Sequence, residues 1–328
     1  MYKVSPIIIV CGLIVLAFAG ALADRYLMDI FILTCFYGTL AISWNLMGGM
    51  AGLVSLGHAL FVGIGAYTVA WCSVHLGWPP LLTWPLAVVL AMAVAFIIGM
   101  LCFRYGLKGY FFGIATLAFS EVAFFLVSGI AALGRSDGIM IPLREDGGFY
   151  LQFYEKWPYG LIIAAILIIT LLLGNFLLKS RTGYYWQALR DNEEAAEALG
   201  IDTRKMKMRA FVISAAIAGL CGAFYANYIS YVDPRSVLGI DLSIQMLVFS
   251  IIGGMSLLWG PLLGAAILVP LDDFLRSITS LQGSNVIVYA TLLILLAIAL
   301  PQGIGGWFTA MMRRRKAKQA AANKEAGQ

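Results

Sequence analysis

Leu81 to Phe103 reads LLTWPLAVVLAMAVAFIIGMLCF, 23 residues without a single charge. A helix crossing the hydrocarbon core of a bilayer needs about 20 such residues, so this segment has the length and composition of a membrane span. Comparable apolar runs lie near 6–23, 28–48, 58–77, 109–132, 159–178, 210–231, 241–258, 261–276 and 285–301. Of the 328 residues, 61% are apolar and 12% charged, and the mean hydropathy is +0.89. That is far more apolar material than one soluble core could hide. The expected fold is all-α, a polytopic membrane protein of about ten transmembrane helices, with no room for a separate soluble catalytic domain. Residues 1–312 then form one transmembrane domain and 313–328 a basic tail.

The net charge of +5 does not point to nucleic acid, because the basic residues lack interleaved aromatics and cluster beside hydrophobic segments. They read as topology signals. With ten spans and the N-terminus inside, Lys3, Arg104, Lys108, seven residues from Lys179 to Arg209 and six from Arg313 to Lys324 are interior. Arg25, Arg135, Arg144, Lys156, Arg235 and Arg276 are left outside. This asymmetry follows the positive-inside rule and predicts both termini in the cytoplasm. The first run, with Lys3 before it and Ala21-Leu22-Ala23 at its end, resembles a signal peptide, but is read as a retained helix. Cys11, Cys35, Cys72, Cys102 and Cys221 all sit in apolar stretches without metal-ligand spacing and read as small core residues.

Two connections are long. The exterior loop 133–158 mixes both charge signs with glycines and Pro142, and suits either a docking surface for a soluble partner or a plain solvated connector. The interior loop 179–209 predicts a short helix over 191–200, with Asp191 as N-cap, Glu194 three positions on, and Gly200 at the left-handed terminating position. The tail beginning Arg313-Arg314-Arg315-Lys316 suits attraction to anionic inner-leaflet lipid.

Glycine gathers where the apolar pattern breaks. Gly48-Gly49-Met50-Ala51-Gly52-Leu53-Val54-Ser55-Leu56-Gly57-His58 joins two spans, and continuous helix through it would cost roughly 1 kcal/mol per glycine relative to alanine. It reads as a discontinuous or re-entrant segment lining a cavity, or as glycines placed for close helix packing. Gly253-Gly254-Met255 is a second such point, and paired interruptions in two halves of a chain mark transport pathways. Candidate pathway residues are Gly52, Ser55, Gly57, His58, Thr116, Glu121 and Gln245. Glu121 is costly in a bilayer unless it faces protein, water or a cation, so it lines a pathway or locks helices together. His58, alone after a glycine break, suits capping of backbone groups better than metal binding. No phosphate-binding loop, zinc pair or nucleophile elbow is present, which argues against catalysis by this chain.

The ordered motifs carry a family resemblance. Gly52-Leu53-Val54-Ser55-Leu56-Gly57-His58-Ala59 is followed by Gly63-Ile64-Gly65-Ala66-Tyr67, then Gly106-Leu107-Lys108-Gly109 and Ala115-Thr116-Leu117-Ala118-Phe119-Ser120-Glu121. Ser136-Asp137-Gly138, Glu194-Ala195-Ala196-Glu197-Ala198-Leu199-Gly200-Ile201, Gly253-Gly254-Met255, Leu258-Trp259-Gly260-Pro261-Leu262-Leu263-Gly264 and Pro301-Gln302-Gly303 complete the set. From about Asn45 to Gly306 the chain resembles the LivM-type permease subunits of branched-chain amino-acid ABC importers.

The resemblance implies a bacterial inner-membrane importer. Its parts would be a LivH-like second permease, LivG-like and LivF-like ATPases using ATP and Mg, and an external substrate-binding protein. It implies that this chain binds no cofactor and is not an enzyme. It also implies that a coupling helix with Glu193, Glu194, Ala195, Ala196, Leu199 and Gly200 seats in a groove of an ATPase. The family's solutes include branched-chain amino acids, urea, short amides and other small acids. Arg135 stands where relatives often carry glycine, and Met255-Ser256-Leu257-Leu258 replaces a more glycine-rich pattern. Two rival readings remain at this point, a gradient-driven secondary transporter using Glu121 as a proton site and a passive channel for a small solute.

Overall fold

The computed structural model describes residues 6–144, 148–278, 291 and 303–306. The helices follow as α1 (Pro6–Ala21), α2 (Arg25–Gly48), α3 (Ala59–His75), α4 (Pro80–Arg104), α5 (Gly109–Gly129) and α6 (Trp157–Lys179). After them come α7 (Arg181–Asp191), α8 (Glu193–Ala198), α9 (Thr203–Ile229), α10 (Pro234–Leu238), α11 (Ile240–Gly253) and α12 (Gly260–Ile278). Two-residue strands β1 (Ile139–Met140) and β2 (Tyr231–Val232) pair antiparallel, Ile139 opposite Val232.

An all-α polytopic membrane protein is what these helices make, and among the described residues six stretches are long and apolar enough to span, against the ten expected. Those long and apolar enough are α2, α4, α5, α6, α9 and the Pro234–Gly253 stretch containing α10 and α11. The shortfall has local causes. α3 follows the irregular segment 49–58 and runs from Ala59 to His75, 17 residues. α1 is apolar but has 16, and α12 carries Asp272, Asp273 and Arg276 within its 19. The run 285–301, Thr291 apart, and the tail 313–328 lie outside the described residues.

Small side chains decide how the centre packs. Ala87, Ala91 and Ala95 recur every four residues on α4 and are fully buried, so they form one stripe along the helix. Leu81, Val89, Phe96 and Ile97 leave the other side of α4 exposed and apolar, the composition a lipid-facing surface needs. The α4 stripe meets α9, where Gly219 lies so close that an added Cβ would sit 2.6 Å from the Ala91 methyl. Gly222, one turn on, packs against the Val62 carbonyl of α3 with no space for a methyl group. Where lipid is as apolar as the side chains, such backbone approach is a main source of helix association. The second half of α2 is buried at every position from Gly38 to Gly48 and packs against α6, α9, α11 and α12.

The 179–209 connection holds two helices where one was expected. α7 is anchored by Trp186, fully buried, whose indole N–H donates to the Met206 carbonyl at 3.0 Å. Asp191 ends α7 and does not cap the next helix. Asn192 does, its Oδ1 accepting from the Ala195 N–H at 3.0 Å. The cap shifts by one because Asp191 is still the last helical residue of α7, whereas Asn192 is extended at φ −161°, the backbone an N-cap needs. Gly200 takes φ +83°, the left-handed value expected of it.

The Val62 contact gives a direct test. Gly222→Ala should lower the thermal midpoint of the purified protein, with an overpacking cost of about 1–3 kcal/mol. Gly129→Ala, where nothing lies within 4 Å of an added Cβ, should leave it unchanged.

Candidate functional site

The two glycine breaks meet in space. α2 stops at Gly48 and α11 at Gly253, and irregular segments 49–58 and 254–259 follow. The Asn45 amide donates to the Leu257 carbonyl at 3.1 Å, and a Cβ on Gly49 would come within 2.6 Å of the Met255 carbonyl oxygen. Gly303 packs on the Gly254 backbone from the other side. The two breaks and Gly303 therefore meet in one junction.

Non-helical backbone inside a membrane protein must find partners within the protein. In the first break, Met50 N–H donates to Asn45 O at 2.9 Å and Leu53 N–H to Met47 O at 3.1 Å. The Trp44 indole donates to the Ser55 carbonyl at 2.8 Å, and Leu56 N–H donates to Thr116 Oγ1 on α5 at 3.3 Å. The first amide of α3, Ala59 N–H, donates to Ser243 Oγ on α11 at 2.8 Å. Gly57 backs so tightly onto the Thr116 carbonyl that no side chain fits there. The break and the close packing posed as alternatives from the sequence coexist.

His58 does not cap the backbone with its ring, contrary to expectation, because Ser243 occupies that role. It precedes α3 without a side-chain cap, and its Nε2 lies 3.0 Å from Ser214 Oγ of α9 and 3.4 Å from Ser43 Oγ of α2. The ring is fully buried, edge-on to Phe61. Ser43, Ser214 and His58 thus bolt α2, α9 and α3 together. Among the described residues no three His, Cys, Asp or Glu side chains gather to hold a metal ion.

Ser55, Gly57, His58 and Thr116 are brought together in this junction and are buried within the chain. Gly52 lies at its edge, at φ +74° against Arg190 of α7. Arg190 also donates to the Gly49 carbonyl at 3.4 Å, so a helix of the 179–209 connection touches the first break directly. Gln245 is elsewhere. It lines a cavity of about 450 Å³ with Tyr26, Asp29, Lys156 and Tyr228, at the start of α2 and α6 and the end of α9, the face opposite α8. Glu121 is half-buried on α5.

On the α8 side the expected residues divide. Glu194, Ala195 and Gly200 are exposed, and Leu199 is 83% exposed, a large apolar side chain left in solvent. Ala196 is buried. Glu193 turns inward to Lys207 at 2.6 Å and Lys108 at 3.5 Å. Asp202 caps α9, and the Lys205 side chain and amide together hold its carboxyl below the usual range.

The family model for the branched-chain amino acid transport system permease component matches residues 26–297. The chain belongs to that family. The permease is 30% identical over 317 residues to the high-affinity branched-chain amino acid transport system permease protein LivM of Escherichia coli, covering 89% of this chain and 73% of that one. To LivH of the same organism it is 24% identical over 284 residues, 82% and 91% of the two chains. To the autoinducer 2 import system permease protein LsrC of Salmonella typhi it is 28% identical over 274 residues, 79% and 74%. These relatives make it a permease subunit of an ABC importer.

Sequence reasoning missed several residues of the permease. Arg144 ties loop 133–158 to the end of α3, donating to the Ser73 carbonyl at 3.0 Å and lying 4.5 Å from the Tyr150 ring centroid. Asp29 pairs with Lys156 and accepts from Tyr228 at 2.8 Å. The one available signal was a carboxylate, Asp29, within an apolar run. Arg135, where the family resemblance leads one to expect glycine, adopts φ +51°, the conformation glycine holds without strain.

The trans cap supports a prediction. Ser243→Ala would leave the buried Ala59 N–H without its acceptor, a loss of about 1–3 kcal/mol. A lowered thermal midpoint, restored by Ser243→Thr, is the expected result.

Proposed function

We propose that this permease is one of two membrane halves of an ATP-driven importer in a bacterial inner membrane, with both termini cytoplasmic. A LivH-like permease is its partner, and LivG-like and LivF-like ATPases beneath it use ATP and Mg. An external binding protein delivers a branched-chain amino acid or a related small solute. The observation that carries the reading is α8. Six residues, properly capped, hold Glu194, Ala195 and Leu199 out into solvent. A solvent-exposed leucine flanked by a carboxylate on a small rigid helix is what a soluble partner can grip.

The partner permease belongs against α5. Only 22% of the 18-residue apolar stretch of α5 is buried in this chain, the lowest share of the six spans. Phe111, Ile114, Val122 and Phe125 are exposed along it, and Glu121 is half-buried on the same helix. Lipid would make the carboxylate costly, whereas a solute pathway between two permeases would hydrate it. The junction of the two breaks sits behind α5 as a packed support, and Thr116 joins it to the pathway helix. On the opposite face, loop 133–158, clamped by Arg144, and residues 233–240 offer the surface for the binding protein.

ATP shifts the transporter only by binding one state better than the other, so coupling requires a mechanical path from the ATPases to the pathway. A secondary transporter or passive channel needs no α8.

Purification of the tagged chain from its native membrane in mild detergent, with mass spectrometry of what accompanies it, tests the reading. Recovery of a second permease and two ATPases is expected. A chain that purifies alone and moves solute in liposomes without ATP would overturn it. Leu199→Asp and Glu194→Lys should each reduce recovery of the ATPases roughly tenfold, as loss of an interface anchor does, with the second permease retained.

A further inference from the structure

α8 has almost no apolar hold on the rest of the chain. Ala196 is its one buried side chain, and a methyl group cannot fix a helix that is pushed from outside. The stronger attachment is Glu193. Its Oε2 lies 2.6 Å from Lys207 Nζ, whose side chain is 7% exposed, and its Oε1 lies 3.5 Å from Lys108 Nζ, 51% exposed. One carboxylate therefore serves two lysines on two different elements.

Those elements differ mechanically. Lys207 stands in the first turns of α9, the helix packed most fully against α3 and α4, with 72% of its 18-residue apolar stretch buried. Lys108 is the residue immediately before α5, the least buried span. It is flanked by Gly106 at φ +69° and Gly109 at φ +51°, and neither would meet any atom within 4 Å if it carried a Cβ. Their glycines thus answer to backbone conformation and not to close packing. Within this chain α5 is little covered and is entered through two left-handed residues, so few contacts tie it to the α3, α4 and α9 packing. Its cytoplasmic end is joined to α8 through this charge.

We propose that Glu193 is a charge fork, a positioning residue that seats α8 on α9 through Lys207 and ties the start of α5 to α8 through Lys108. Movement of α8 is thereby passed to α5. The inference rests on the importer reading above and specifies how it is coupled. Glu194, the neighbouring carboxylate, faces outward, so the two glutamates have separate tasks, one toward the ATPase and one toward the pathway helix. The shorter and better shielded arm holds its geometry, because screening weakens an exposed pair more than a buried one. The longer arm carries the displacement. Linkage makes the path two-way, so an event on α5 caused by the loaded binding protein reaches the ATPases by the same carboxylate.

The test uses the whole complex in lipid vesicles, with ATP hydrolysis measured with and without the co-purified binding protein. Glu193→Gln removes both arms and could unseat α8, so the decisive variant is Lys108→Gln, at an exposed position. It should keep its ATPases and its unstimulated hydrolysis, while stimulation by the binding protein falls roughly fivefold, the low end of ordinary coupling between sites. Lys108→Arg should restore it. Full stimulation in Lys108→Gln, or loss of the ATPases from that complex, would overturn the fork. A wild-type complex that hydrolyses no ATP would overturn the importer reading and the fork with it, which separates the two failures.

Discussion

The architecture depends on a constraint of the bilayer interior, that a backbone leaving the helical path must have its N–H and C=O groups met by protein. Two breaks, after Gly48 and after Gly253, are sustained because they lie together and draw donors and acceptors from their surroundings. Trp44 and Asn45 supply donors from the helix that has just ended. Thr116 and Ser243 supply hydroxyls from α5 and α11, and Arg190 reaches in from α7. Trp44 and Asn45 share α2, the other partners lie on α5, α11 and α7, and the amide that Ser243 meets opens α3. The junction therefore fixes five helices relative to one another while spending few side chains on any one of them.

Around it the molecule has a tightly packed part and a loosely held one. α2, α3, α4 and α9 approach through alanine and glycine, and His58 with two serines bolts three of them. α5 touches the junction through Thr116 and otherwise leaves most of its surface uncovered. On the proposed reading this contrast is functional, since a pathway helix must move against a frame that does not. The charges follow the same division, Glu193 linking frame and moving helix from below while Asp29, Lys156 and Tyr228 tie α2, α6 and α9 at the opposite end.

The membrane character, the all-helical class and the positions of both interruptions were legible in the chain, because twenty-residue apolar runs and clustered glycines have few alternative uses. The number of spans was less so. A run such as 58–77 has the composition of a full span, yet its helix runs only from Ala59 to His75 and stops two residues before the apolar run does. The α8 motif was legible as a helix with its left-handed Gly200, but Asp191 and Asn192 are both good caps, and the extent of α7, which runs through Asp191, left Asn192 to serve.

Composition and local pattern thus determined what this chain is made of: apolar helices, where they fail, and which family they follow. Only the tertiary structure decided what each polar group does. His58 bonds serines from residues 43 and 214, and Glu193 bonds lysines 85 and 14 positions away. Hydropathy reports whether a side chain prefers lipid or water. It carries no information about which distant donor will lie within 3 Å once the helices pack, and that distance sets the role of a buried polar group.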